Sequence, residues 1–160
     1  MVCILSEKQN AMLGHERLSQ KCRYALRALF ELAMRGTNEP VKIQNIALAQ
    51  GIPPRFLEVI LAELKQGGFV ESHRGSDGGY LLARPAHSLT VGEILAFLRK
   101  GSAPRRPGQH KREYFGDYAL SEMLKKVTEA VSKVYDQTSF ADLVEREMVI
   151  RSEQVSNYVI

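Results

Sequence analysis

Three polar or aromatic side chains, Arg55, Phe56 and Glu58, fall within four consecutive residues directly after the turn Gly51-Ile52-Pro53-Pro54. A guanidinium can donate two parallel hydrogen bonds to guanine, and a carboxylate can accept one from the cytosine amino group. A second cluster, Arg74-Gly75-Ser76-Asp77-Gly78-Gly79-Tyr80, puts one arginine on a glycine-rich turn. An arginine so placed can enter a minor groove or grip a phosphate. Together these residue types point to reading DNA. No nucleophile–base pair, paired carboxylates in a cleft or phosphate-binding loop accompanies them, so no enzyme is expected. The glycine run at 75–79 is turn chemistry, because a strand and not a helix is expected after it.

These side chains need helices and a ribbon to position them. Ser19 can cap a helix reaching about Arg35, with Cys22, Ala25, Leu26, Leu29, Leu32 and Ala33 at helical spacing. Gly36 and Pro40 end it. Ile43 to Gln50 reads as a second helix, Gly51 as a left-handed turn, and the stretch after Pro53-Pro54 as a third helix to Gln66 burying Leu57, Ile60, Leu61 and Leu64. Phe69–Arg74 and Tyr80–Arg84 are strand candidates. Thr90 and Glu93 form a capping box for a helix of about Val91 to Arg99. The fold class is therefore mainly α with a small β wing: a winged helix-turn-helix domain plus a long dimerisation helix. Its expected divisions are an extension over 1–17, the winged domain over 18–100, a basic flexible loop over 101–112, dimerisation helices over 113–148 and a tail over 149–160.

The long helix is expected from Tyr114 or Tyr118 to Tyr135. Leu120, Leu124, Val127, Val131 and Val134 are spaced 4-3-4-3, as in a coiled-coil seam joining two copies. Packing of that stripe on its own domain is the alternative. Thr138 or Ser139 would cap a short last helix containing Phe140, Leu143 and Val144.

Charge agrees with this division. The chain of 160 residues carries a net charge of +4, with 17 Lys+Arg against 9 Asp+Glu over residues 1–112 and 5 against 9 over 113–160. A basic front and an acidic back suit a nucleic-acid-facing half joined to a half that faces something else. No apolar run approaches the roughly 20 residues that span a bilayer, and the start lacks a basic segment ahead of an apolar one, so a cytoplasmic protein is expected. Met12 is a candidate alternative start. Two cysteines, Cys3 and Cys22, make no disulfide framework.

The text Leu18-Ser19-x-Lys21-x-Arg23-Tyr24-Ala25-Leu26, then Ile46-Ala47, Gly51-Ile52, Phe56-Leu57-Glu58, Gly67-Gly68-Phe69-Val70, Arg74-Gly75, Gly78-Gly79-Tyr80-Leu81-Leu82 and Val91-Gly92-Glu93-Ile94 resembles the Rrf2 family of bacterial winged-helix regulators. The resemblance runs from about Leu18 to Val144. It implies a dimer reading a pseudo-palindromic operator, with the third helix in the major groove. Glu58 would then read a base, Arg74 would act at the wing, and Lys21, Arg23 and Tyr24 would hold the backbone; Gln44, with the free N–H groups at the start of the second helix, can add another backbone contact. Arg55 departs from the serine-like residue often found at its position. Cluster-binding members carry three spaced cysteines before the long helix; here Gly101–Arg112 has none and offers only His110. No iron–sulfur cluster, metal or other cofactor is therefore expected. That matches the cluster-free cysteine-metabolism repressor (CymR-like) branch.

Two features leave alternatives open. Cys22 stands where the family usually has glycine: it is either a small buried hydrophobe or, beside Lys21 and Arg23, a redox-sensing thiol. The end Asn157-Tyr158-Val159-Ile160 resembles the serine acetyltransferase tail that enters cysteine synthase, which makes that enzyme a candidate partner; an apolar chain end that packs or frays is the other reading. An interaction module that has lost DNA binding is a third function compatible with the fold.

Overall fold

The computed structural model describes residues 18–36, 39–75, 78–100 and 116–156. Cys3, His110 with the rest of the 101–112 loop, the turn residues Ser76 and Asp77, and the tail residues Tyr158, Val159 and Ile160 lie outside them.

Helix α1 (Gln20–Arg35) begins where expected: the Ser19 hydroxyl accepts from the Cys22 N–H at 3.2 Å. Its inner stripe, including Ala25, Ala28, Leu29 and Leu32, is buried. Helix α2 (Ile43–Gln50) closes on Gly51 at φ 59°, a conformation that larger residues resist, and Ile52 drops into the core. Helix α3 (Pro54–Gln66) has proline in its first turn, where no intrahelical N–H bond is lost, and buries Leu57, Ile60, Leu61 and Leu64. Strands β1 (Val70–His73) and β2 (Gly79–Leu82) pair antiparallel, Val70 opposite Leu82 and His73 opposite Gly79. A 3-10 turn at Ala86–Ser88 leads into α4 (Val91–Lys100). Helices α5 (Asp117–Gln137) and α6 (Phe140–Ser156) complete the chain.

Three features differ from expectation. The wing has a third contributor: Val41, just ahead of α2, exchanges backbone hydrogen bonds with Tyr80 at 2.8 and 2.9 Å. Gly79 allows this close approach, because a Cβ there would meet the Val41 carbonyl oxygen. The Thr90 hydroxyl caps the Glu93 N–H at 3.2 Å, but the Glu93 carboxylate is turned to Arg84 at 2.7 Å.

The last helix is the largest departure. Expected to be short, it runs to Ser156, through most of the stretch assigned to a tail. Ser139 and Asp142 cap it reciprocally: Asp142 Oδ2 accepts from the Ser139 N–H and hydroxyl at 2.9 and 2.7 Å, and the Asp142 N–H donates to Ser139 Oγ at 3.1 Å. Phe140 is fully buried with Leu29 and Leu89, and α6 packs on α1. The start of α6 thus contributes to the core that α1 builds. Two backbone bonds, Val91 N–H to Thr138 and Phe140 N–H to Leu89, both 3.0 Å, fasten the α5–α6 junction to the start of α4.

Candidate nucleic-acid interface

Helix α3 presents the candidate base-reading residues. At 100° per residue, Arg55, Val59, Ala62 and Gln66 lie opposite its buried stripe. Glu58 lies on one flank of that line and Phe56 on the other. All six are exposed. Arg55 and Glu58 make no ion pair or hydrogen bond among the described residues, so both carry polar groups available to a ligand.

Polar contacts hold α3 in place. Lys21 Nζ lies 2.6 Å from Glu63 Oε2, tying the start of α1 to the last turn of α3. Lys65 Nζ donates to Ser72 Oγ at 2.5 Å, tying α3 to the wing. Behind the helix-turn-helix, Glu31 is only 4% exposed and accepts from Arg35 Nε and Gln50 Nε2, each at 2.7 Å. Gln50 in turn accepts from Arg27 Nε at 3.4 Å. A buried carboxylate needs such donors, and here they lock α2 onto α1. Sequence reasoning missed this network, since a lone glutamate on a helix ordinarily faces water. The one local signal was Glu31 with Arg35 one turn later.

The other candidates gather at element ends. Gln20 accepts from Arg23 Nη2 at 3.2 Å and donates to the Tyr24 hydroxyl at 2.6 Å, so these two side chains are ordered together on the first turn of α1. Lys21 is exposed but already engaged by Glu63. Gln44 is exposed in the first turn of α2, whose N-cap residue Lys42 supplies no side-chain cap. Arg74 is exposed beyond the end of β1, followed by Gly75 at φ 114°. Arg84 sits away from that tip: it pairs with Glu93 and lies 5.8 Å over the Phe69 ring, which packs edge-on against Phe97.

The seam on α5 is largely uncovered. Leu120 and Val134 are 57% and 62% exposed, Leu124 is exposed, and Val127 and Val131 are half-buried. Tyr118 and Met123 on α5 and Met148 and Val149 on α6 are also exposed. A monomer leaves this apolar surface in water, where it gains nothing from the hydrophobic effect.

Cys22 is 6% exposed, within the core that α1 builds. His73 and His87 are exposed, and no three His, Cys, Asp or Glu side chains among the described residues are grouped to hold a metal. With Cys3 and Cys22 its only thiols, the chain has too few for a cluster ligated by cysteine alone. The donor set therefore does not fit an iron–sulfur centre. No described helix is long and apolar enough to cross a membrane.

Comparison with known proteins agrees with the geometry. Residues 18–146 match the Rrf2 family, described as an iron-dependent transcriptional regulator. An HTH-type transcriptional regulator of Mycobacterium tuberculosis is 36% identical over 129 residues, covering 79% of this chain and 80% of the relative. Among solved structures, CymR, the global cysteine regulator of B. subtilis, superposes with a TM-score of 0.69 at 29% identity, covering 82% of this chain and 98% of that one. IscR of T. potens gives 0.69 at 31% identity, covering 86% and 90%.

Proposed function

Because the chain belongs to the Rrf2 family of transcriptional regulators, we propose that it acts as a cytoplasmic, homodimeric, sequence-specific repressor that needs no iron–sulfur cluster. The observation that carries this reading is the outer face of α3. Arg55 and Glu58 are exposed, unpaired and within about one helical turn of the helix start, on a helix held by Lys21–Glu63 and Lys65–Ser72. Available donors and acceptors on a helix held in place are what groove reading requires. Arg74 would act from the wing, and Arg23, Tyr24 and Gln44 would hold the phosphate backbone, with Lys21 sharing its charge between Glu63 and DNA.

The exposed stripe of Leu120, Leu124 and Val134 supports pairing of two copies along α5. Two α3 helices related by a twofold axis would read a pseudo-palindrome. Selection of duplexes from a random pool tests this: the enriched sites are inverted repeats, and Glu58→Ala relaxes the preference at one position per half-site. Enrichment of unrelated sequences would overturn the reading. Leu124→Glu with Val131→Glu tests the seam, because two charges facing a second copy give a particle of 18.0 kDa where the parent is twice that mass.

Control through cysteine metabolism is the finer part of the proposal. Its support is the likeness to the B. subtilis cysteine regulator and the Asn157-Tyr158-Val159-Ile160 sequence. A terminal carboxylate beside an isoleucine can mimic an amino-acid substrate in a backbone nest. A synthetic peptide ending in Ile160 then competes with O-acetylserine for cysteine synthase; a peptide without effect removes that partner.

A further inference from the structure

The centre of the outward face of α3 is apolar. Val59 is 65% exposed, and Ala62 follows on the same line, between Arg55 and Gln66. Glu58 is displaced to the flank. A β-branched side chain held on a helix, with one strongly preferred rotamer, presents two methyl groups at a fixed place. Water is the poorest environment for them, and most of Val59 is left in it. Among the base edges in a major groove, the feature that complements an aliphatic group is the 5-methyl of thymine.

We infer that Val59 reads a thymine methyl and sets part of the operator's specificity. This rests on the proposal that α3 enters the major groove, and it adds a non-polar contact to the polar ones of Arg55 and Glu58. Arg55 and Val59 are one turn apart, about 6 Å along the helix. Base pairs rise by about 3.4 Å. Each half-site therefore carries a thymine roughly two base pairs from the guanine read by Arg55. Arg55 supplies the strong directional bonds, and Val59 distinguishes thymine from cytosine by the 5-methyl group that cytosine lacks.

The test uses the full-length protein and the duplex enriched by selection. Each thymine is replaced in turn by uracil, which removes only the 5-methyl group. One position per half-site weakens binding about fourfold, the effect of burying one methyl-sized group. Val59→Ala loses affinity for the thymine duplex and no longer distinguishes thymine from uracil at that position. Val59→Thr keeps the branched shape and one methyl and retains most of the discrimination. All three proteins melt within a few degrees of one another, because position 59 is outside the core. A duplex with no methyl-sensitive position, or a Val59→Ala protein as sensitive as the parent, would overturn the assignment while leaving groove reading by α3 intact. Failure to enrich any duplex would overturn both.

Discussion

Replacing Gly79 by alanine should detach the wing from the segment that leads into α2. The new Cβ would press into the Val41 carbonyl oxygen, and that atom is backbone, so it cannot rotate away. Relief requires opening the Val41–Tyr80 pair, whose two bonds are 2.8 and 2.9 Å long. Each backbone hydrogen bond contributes about 1 kcal/mol net, so the loss is about 2 kcal/mol. In a chain of this size 1 kcal/mol corresponds to a shift in Tm of about 2–4 °C, which gives a fall of about 4–8 °C. Gly68→Ala is the control. Gly68 has φ 73° with no atom near a new Cβ, so alanine there brings backbone strain of about 1–2 kcal/mol without touching the wing pair. Thermal unfolding gives the magnitudes, and amide hydrogen exchange locates them. Gly79→Ala loses protection at Val41 and Tyr80, whereas Gly68→Ala keeps it. A Gly79→Ala protein that melts within about 1 °C of the parent, with both amides still protected, would refute the close-approach argument.

Three further outcomes are expected. Phe140→Ala removes a fully buried ring from the core and costs about 3–5 kcal/mol, a fall in Tm of about 6–20 °C, whereas Met148→Ala on the exposed face of α6 changes it little. Hydrogen bonds from the Ser139 hydroxyl and backbone N–H hold the Asp142 carboxyl below its usual value of 3.8. Its contribution is therefore complete above the unfolded-state pKa and is lost as pH falls through the lower folded-state value. Urea midpoints of the parent and Asp142→Asn should differ at neutral pH and converge in acid; a gap that widens in acid would contradict the cap. Cys22→Ala leaves the peroxide response of DNA binding unchanged, because the buried thiol is shielded from oxidant; a lost response would restore Cys22 as a sensor.

The helices were legible because their signals are local. Ser19 before an apolar stripe, Gly51 at a left-handed turn and Pro54 in a first turn each act within a few residues. The wing was legible for the same reason, although its strands are shorter than the apolar runs suggested. What could not be read depends on distant pairs. Val41 joins the wing by a single bridge, and one residue has no periodicity. Glu31 looks like a surface residue until Gln50 and Arg35 are brought to it by the fold. Phe140 lies within the stretch assigned to dimerisation helices, yet its ring is buried in one core with Leu29 and Leu89. At the candidate interface, residue types singled out Arg55 and Glu58, but only the geometry of the buried stripe put Val59 between Arg55 and Gln66.

The central claim is that the outer face of α3 and the arginine at the wing form one DNA-binding surface. The dependence of duplex affinity on salt tests it most directly, because every phosphate contact releases counterions. The parent's log affinity should fall steeply and linearly with log salt concentration. Arg74→Ala should make that slope shallower by about 1 for each wing engaged, and Glu58→Ala should leave the slope unchanged while relaxing the preference at one position per half-site. A parent slope near zero, or an Arg74→Ala slope equal to the parent's, would contradict the account.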